Sequence, residues 1–274
     1  EPGEIGPQQA CRDQGETEDD EKSRHILAPA FDIGSRRGGI KQSEAMPEQY
    51  TSALIVGAGT GLSASVARVF SAAGMRIALA ARSADRLAAL ARETKASVHR
   101  CDAADRAQVE ELFDALVPAP DVVLYNASYR VRGPFVDLDP REVARAIEIS
   151  AFGAFLVAQA AVRRMLPRGR GAVLFTGASA SVKGYAQSAP FAMGKFALRG
   201  LAQSMARELA PLGIHVAHFV IDGGIRSARR TEPPDKPDSL IDPDAVAQTY
   251  LHVLQQPRSA WSWEVALRPW VETF

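Results

Sequence analysis

From Tyr50 to Leu267, short apolar runs alternate with segments of helical period, and a glycine cluster separates the first run from the first helix. Ala53-Leu-Ile-Val56 is uninterruptedly apolar. Leu62, Val66, Val69 and Phe70 then recur at helical spacing up to Gly74, a C-terminal stop. Residues 76–80, 97–100, 121–125, 172–176, 215–220 and 263–267 read as further strands. Helices are expected over about 106–116, 140–165, 188–210 and 243–255. One more follows residue 82, with Ser83 as N-cap and Asp85 in its first turn. Strands joined through helices need crossovers, which produce parallel pairing and bury both sheet faces. The predicted fold class is therefore α/β, a single doubly wound parallel sheet of about seven strands with helices on both faces.

The chain of 274 residues, 46% hydrophobic, is long enough for such a sheet. Lys+Arg 32 balances Asp+Glu 32, and the absence of a basic excess argues against nucleic acid as partner. The balance is uneven along the chain. Residues 1–45 hold six of the basic and ten of the acidic residues, leaving 26 and 22 to the other 229. That segment, with its acidic run at 16–21 and recurrent Gly and Pro, has no apolar period. It is expected to be a disordered or foreign tail ahead of a domain spanning 46–274. Cys11 and Cys101 allow neither a disulfide framework nor a metal spacing, so a reducing, cytoplasmic setting is expected. Cys101, closing a strand, reads as a small buried thiol. The apolar stretch 149–162 is short for a bilayer and contains Gln159, and no secretory signal pattern opens the chain, so no membrane is expected.

Gly57-Ala-Gly59-Thr-Gly61 follows the first strand and opens the first helix. Glycines let a pyrophosphate approach the backbone, and the helix N-terminus offers free N–H groups and partial positive charge. In this strand–turn–helix context the motif predicts a dinucleotide site. The second strand ends Ala78-Leu-Ala-Ala-Arg82 without the acid that would hold ribose hydroxyls. Arg82 can instead pair with a 2′-phosphate, for which Ala81 leaves room, so NADP(H) is favoured over NAD(H).

In this order the elements resemble the short-chain dehydrogenase/reductase family, with its Rossmann-type sheet, over about residues 50–274. Gly57–Gly61 resembles the family's glycine motif, with Ser63 where its last glycine is usual. Cys101-Asp102-Ala103 is similar to the adenine-contacting segment after the third strand. Tyr125-Asn126-Ala127-Ser128 is similar to the Asn-Asn-Ala-Gly stretch after the fourth. Ile221-Asp-Gly223-Gly-Ile225-Arg-Ser227 is similar to the loop that closes over nicotinamide. The resemblance thus implies cofactor contacts at Gly57, Gly59, Thr60, Gly61, Leu62, Arg82, Asp102, Ala103, Asn126, Ala127, Ser128, Lys195, Gly223, Ile225 and Ser227.

The family's chemistry uses a Tyr, a Lys one helical turn later, a Ser and an Asn. Only Lys195 matches cleanly, in Phe191-Ala-Met-Gly-Lys195. Phe191 stands at the tyrosine position and Ser150 at the asparagine position. The usual serine spacing lands on Ala178, with Ser179 next to it. Tyr185 is the first candidate for a substitute proton donor, followed by Ser188, Ser179 and Tyr129. The leading expectation is an oxidoreductase acting on a carbonyl or secondary alcohol through an atypical site. Alternatives are an NADP(H)-binding sensor or structural protein without turnover, and a non-redox lyase or isomerase. Residues 225–242 are expected to form a substrate lid. Its Arg226, Arg229 and Arg230 read either as a solvated face or as contacts for an acidic substrate or cofactor phosphates. Phe152, Phe155, Val162, Phe196, Leu198 and Leu201 are expected to be mostly core, and Trp261, Trp263 and Trp270 structural. The resemblance implies a homodimer or homotetramer. The histidines show no metal-ligand spacing, so no metal is expected.

Overall fold

The computed structural model describes residues 50–228 and 230–272; the expected tail at 1–45 and Arg229 lie outside the described residues. Seven strands, β1 (Ser52–Val56), β2 (Arg76–Ala81), β3 (Ser97–Arg100), β4 (Val122–Tyr125), β5 (Gly171–Thr176), β6 (Ile214–Ile221) and β7 (Glu264–Leu267), form one sheet in the order β3-β2-β1-β4-β5-β6-β7. Every pairing is parallel. The helices between them are α1 (Leu62–Ala72), α2 (Ala88–Thr94), α3 (Arg106–Ala115), α4 (Pro140–Ile147), α5 (Gly153–Met165), α6 (Ala189–Leu209) and α7 (Pro243–Leu254).

Side-chain alternation divides the core in two. Ala53 and Ile55 of β1 face α1 and α7, packing with Phe70, Phe219 and Tyr250. Leu54 and Val56 point the other way, toward α3, α5 and α6, with Phe113, Val157 and Leu198. Because both faces are covered, β1 is buried throughout, which is why its run Ala53–Val56 is uniformly apolar. Chain order reverses between β1 and β4, and the C-terminal ends of these two strands open a crevice there.

Several expectations are corrected. The helix expected over 140–165 is interrupted by a π-helical turn at Glu148–Phe152. The Tyr125 hydroxyl donates to the Ile149 carbonyl inside that turn. Gly153, just after it, comes so close that an added Cβ would lie 2.8 Å from the Ala103 carbonyl oxygen. A side chain entering the helical ladder is a standard cause of such a break. Ser83 precedes a 3-10 turn (Ala84–Leu87) and makes no side-chain cap bond. Phe152, Phe155 and Phe196 are exposed rather than core, because the opposite sides of their helices, with Leu156, Val157 and Leu198, already face the sheet. Trp270 is 80% exposed and supports no packing, whereas Trp261 stacks on His215 at 4.5 Å. The helical stretch Pro140–Arg168 is, by length and composition alone, long and apolar enough to cross a membrane, and half of its apolar window is buried in this domain.

Candidate active site

A cavity of about 370 Å³ occupies the crevice between β1 and β4. Gly57, Gly59, Thr60, Arg82, Asp102, Ala103, Asn126, Ala127 and Ser128 all line it. Gly57 has φ +77, and a Cβ there would lie 2.4 Å from the Ala127 nitrogen, so only glycine lets the two loops meet. Space beside Gly59 and Gly61 is open. Gly61 caps α1 without a side chain, leaving the helix's first N–H groups for an anion. Ser63, replacing the family's last glycine, joins the loops: its hydroxyl donates to the Gly57 carbonyl at 3.2 Å and accepts from Asn126 Nδ2 at 2.7 Å. The Leu62 side chain turns into the core and lines no part of the cavity. Cys101 is buried at the cavity floor, and burial pushes its thiol up to about 11. Sequence reasoning missed Ser83 and Arg86 on this wall.

A second cavity, about 440 Å³, is lined by Ser179, Tyr185, Ser188, Phe191, Asp222 and Gly223, together with Arg130, Arg132, Arg230 and Glu272. Ser179, not Ala178, reaches its wall. The buried Ser181 accepts a bond from the Ala178 N–H at 3.1 Å. Tyr185 is 46% exposed, with Lys183 Nζ 5.8 Å from its ring centre. Hydrogen bonding to Tyr185 and the charge of Asp222 hold the Lys183 ammonium above its usual range. Tyr129 does not line the cavity; its hydroxyl donates to Glu142 at 2.6 Å. Arg130 and Arg132 were also missed. In the extended segment Tyr129-Arg-Val-Arg132 their spacing of two places both side chains on one side.

Phe191 lies in the first turn of α6 and is 6% exposed. Lys195, one turn on, is 3% exposed, and its Nζ donates to the Thr176 carbonyl at 2.6 Å. Burial, with the Arg130 charge second, pushes its ammonium down to about 8. Ser150 is fully buried in the π-helical turn and lines neither cavity. Its hydroxyl accepts from the Tyr129 N–H at 3.4 Å, and its Cβ is where Gly194 must lack one.

The expected lid is pinned on itself. Ile225 bridges Ile241, and Ser227 and Arg230 exchange backbone bonds of 2.9 and 3.0 Å. Ile225 and Ser227 therefore lie off both cavity walls. Arg226 pairs with Asp242 at 2.7 Å, which removes it as a ligand contact in this arrangement. Among the described residues no group of three potential metal ligands occurs.

A profile of the family described as short chain dehydrogenase matches residues 51–236. The chain belongs to that family. This short-chain dehydrogenase is 25% identical over 226 residues to an uncharacterized oxidoreductase of Staphylococcus aureus, covering 79% of this chain and 96% of the relative. A crystal structure of a short-chain dehydrogenase from Rhodopseudomonas palustris superimposes with a TM-score of 0.69 at 32% identity, covering 80% of this chain and 99% of that one. A metagenomic short-chain oxidoreductase in complex with NADP superimposes with a TM-score of 0.69 at 25% identity, covering 80% and 97%. The family makes this chain an oxidoreductase of small molecules on a Rossmann-type sheet.

Proposed function

We propose that this short-chain dehydrogenase transfers a hydride between NADP(H) and a carbonyl compound or secondary alcohol, with the proton handled by a group other than residue 191. The observation that carries the reading is the loop 126–132, which lines the first cavity with Asn126, Ala127 and Ser128 and the second with Arg130 and Arg132. A ligand lying along that loop extends from the phosphate-binding turn to the hydroxyls of Ser179, Tyr185 and Ser188.

The donor set fits a phosphorylated dinucleotide. The open flank at Gly59 and Gly61 and the free N–H groups of α1 would take the pyrophosphate. Arg82, Ser83 and Arg86 would hold a 2′-phosphate, and no acid ends β2 to repel it. Asp102 and Ala103 would face the adenine. Lys195 has two donors left after its bond to Thr176 and would reach the ribose. Gly223 would close the nicotinamide end, and Ile225 and Ser227 would join it only on a movement of the lid away from their present backbone pairings. Bound there, the nicotinamide supplies or accepts the hydride.

The chain's own groups then orient the substrate and move one proton. Tyr185 carries that proton in this reading, with Lys183 Nζ 5.8 Å from its ring centre. Ser179 orients the substrate oxygen. A positioned acid contributes about 10²–10⁴ in rate, so a displaced donor lowers turnover without removing the benefit of holding both reactants together. The exposed Phe152, Phe155 and Phe196 rings support pairing between copies of the chain.

One observation favours a second reading, a nucleotide-binding protein without turnover: the buried Phe191 ring has no proton to give. Binding of NADPH followed by fluorescence, together with a broad panel of ketones and aldehydes, separates the two. Binding with NADPH oxidation on some carbonyl is expected; tight binding with no oxidation across the panel leaves the non-catalytic reading.

A further inference from the structure

The second cavity carries more positive charge than its reaction needs. Arg130 and Arg132 enter from the loop after β4, and Arg230 enters from the lid roughly a hundred residues later. Several arginines elsewhere in the domain have carboxylate partners, among them Arg68 with Glu93, Arg164 with Asp114, Arg199 with Glu264 and Arg226 with Asp242. Among the described residues no ion pair is formed by Arg130, Arg132 or Arg230. Two acids share the wall. Asp222 already faces Lys183 at 3.5 Å and Arg268 at 3.7 Å, and Glu272 makes no ion pair with the three.

Two of the three guanidinium groups are positioned by their surroundings. The Phe191 ring lies under Arg130 at 4.2 Å, which fixes the guanidinium while leaving its edge N–H groups free. The paired backbone bonds between Ser227 and Arg230 hold the latter's Cα. Its side chain crosses Gly224, where an added Cβ would lie 2.9 Å from Nη1, so that glycine makes room for it. Partial burial, and after it the charges of Arg132 and Arg230, hold Arg130 below its usual range. Like charges gathered in a concave wall focus a positive potential, and planar guanidinium forks match oxyanions.

We infer that the second cavity recognises a carbonyl or alcohol substrate bearing an oxyanion group, carboxylate or phosphate, held by Arg130, Arg132 and Arg230. The inference rests on the oxidoreductase reading for the reacting carbonyl, and on the arginine cluster alone for the anion.

The test uses matched probes on the NADPH-loaded protein, with affinity read by calorimetry and turnover by NADPH oxidation. 4-Oxopentanoate is compared with 2-pentanone, and dihydroxyacetone phosphate with dihydroxyacetone. At least one anionic probe is expected to bind about tenfold or more tightly than its neutral twin, the scale of one charge-assisted hydrogen bond. The pair that shows the difference identifies carboxylate or phosphate. The preference should shrink as salt rises from about 50 mM to about 500 mM. It should fall about tenfold in Arg230→Met and in Arg132→Met, two independent exposed sites, with NADPH affinity unchanged. Neutral twins binding as well as the anions would overturn the inference, as would variants that keep the preference. So would a parallel loss of NADPH affinity, which would assign the arginines to the cofactor. Anion binding without turnover upholds this inference and removes the oxidoreductase reading; turnover of neutral ketones without anion preference does the reverse.

Discussion

The guanidinium carbon of Arg130 lies 4.2 Å from the centre of the Phe191 ring, and Lys195 Nζ lies 5.8 Å from the same centre. Two cations therefore flank the position where the family carries a tyrosine. A hydroxyl introduced there would meet positive charge, which favours its ionised form. Phe191→Tyr is expected to raise kcat for NADPH-dependent ketone reduction by about tenfold or more. Tyr185→Phe should lower kcat by about 10²-fold with little change in KM, and Phe191→Tyr in that background should restore it. Steady-state kinetics decides; an unchanged kcat in Tyr185→Phe moves the proton to Ser179 or Ser188.

Arg82 should discriminate between the two nicotinamide cofactors. Arg82→Ala is expected to weaken NADPH by about tenfold or more and NADH by no more than about twofold. Parallel fluorescence titrations measure both. Equal weakening would mean that Arg82 serves the adenosine generally and not a 2′-phosphate.

Lys195 supplies a pH dependence with a defined direction. Burial, and secondarily Arg130, push its ammonium down to about 8. The charged form is thus present below that value and is lost as pH rises through it. NADPH affinity should be level below pH 8 and fall above it, while Lys195→Met binds more weakly and shows no such fall. Affinity titrations across that range provide the readout.

His218 makes stability fall in mild acid. It is fully buried, its Nδ1 lies 3.0 Å from Glu264 Oε2, and its Nε2 has no partner among the described residues. Burial pushes the ring down to about 4 from the 6.5 of an exposed imidazole. The unfolded chain therefore binds the extra proton first. The stabilisation is complete above pH 6.5 and is lost as pH falls toward 4, a change of order 3 kcal/mol. Glu264, held below its usual range chiefly by Arg199 against the opposing effect of burial, acts in the same direction. Urea unfolding at pH 7 and pH 5 should reveal the slope, and His218→Asn should flatten it.

The exposed rings of Phe152 at the end of the π-helical turn, Phe155 on α5 and Phe196 on α6 should hold copies of the chain together. Phe152→Glu combined with Phe196→Glu is expected to shift the sedimentation coefficient toward that of a monomer without loss of NADPH binding. An unchanged coefficient would remove these rings from any interface.

Strand and helix periods, the glycine turn and the apolar run of β1 were legible in the sequence because they are local. Each depends on residues within a few positions, or on a strand being covered on both faces. Of the nine cavity-lining positions, those in the glycine turn and Arg82 followed from the same local logic, whereas Asp102, Ala103, Asn126, Ala127 and Ser128 followed from the family resemblance; in a doubly wound sheet the loops after β1 to β4 converge on one crevice. The π-helical turn was not legible. It depends on Tyr125 and Ala103 approaching 149–153 from another strand, and no helical period encodes that contact. Nor was the exposure of Phe152 and Phe196, because periodicity assigns residues to faces without saying which face meets the sheet. The sequence by itself determined the βα alternation and the place of the nucleotide turn, through spacing alone. Only the tertiary structure decided that Arg130, Arg132 and Arg230 share one wall with Phe191, because long-range chain folding brings the lid beside the loop after β4.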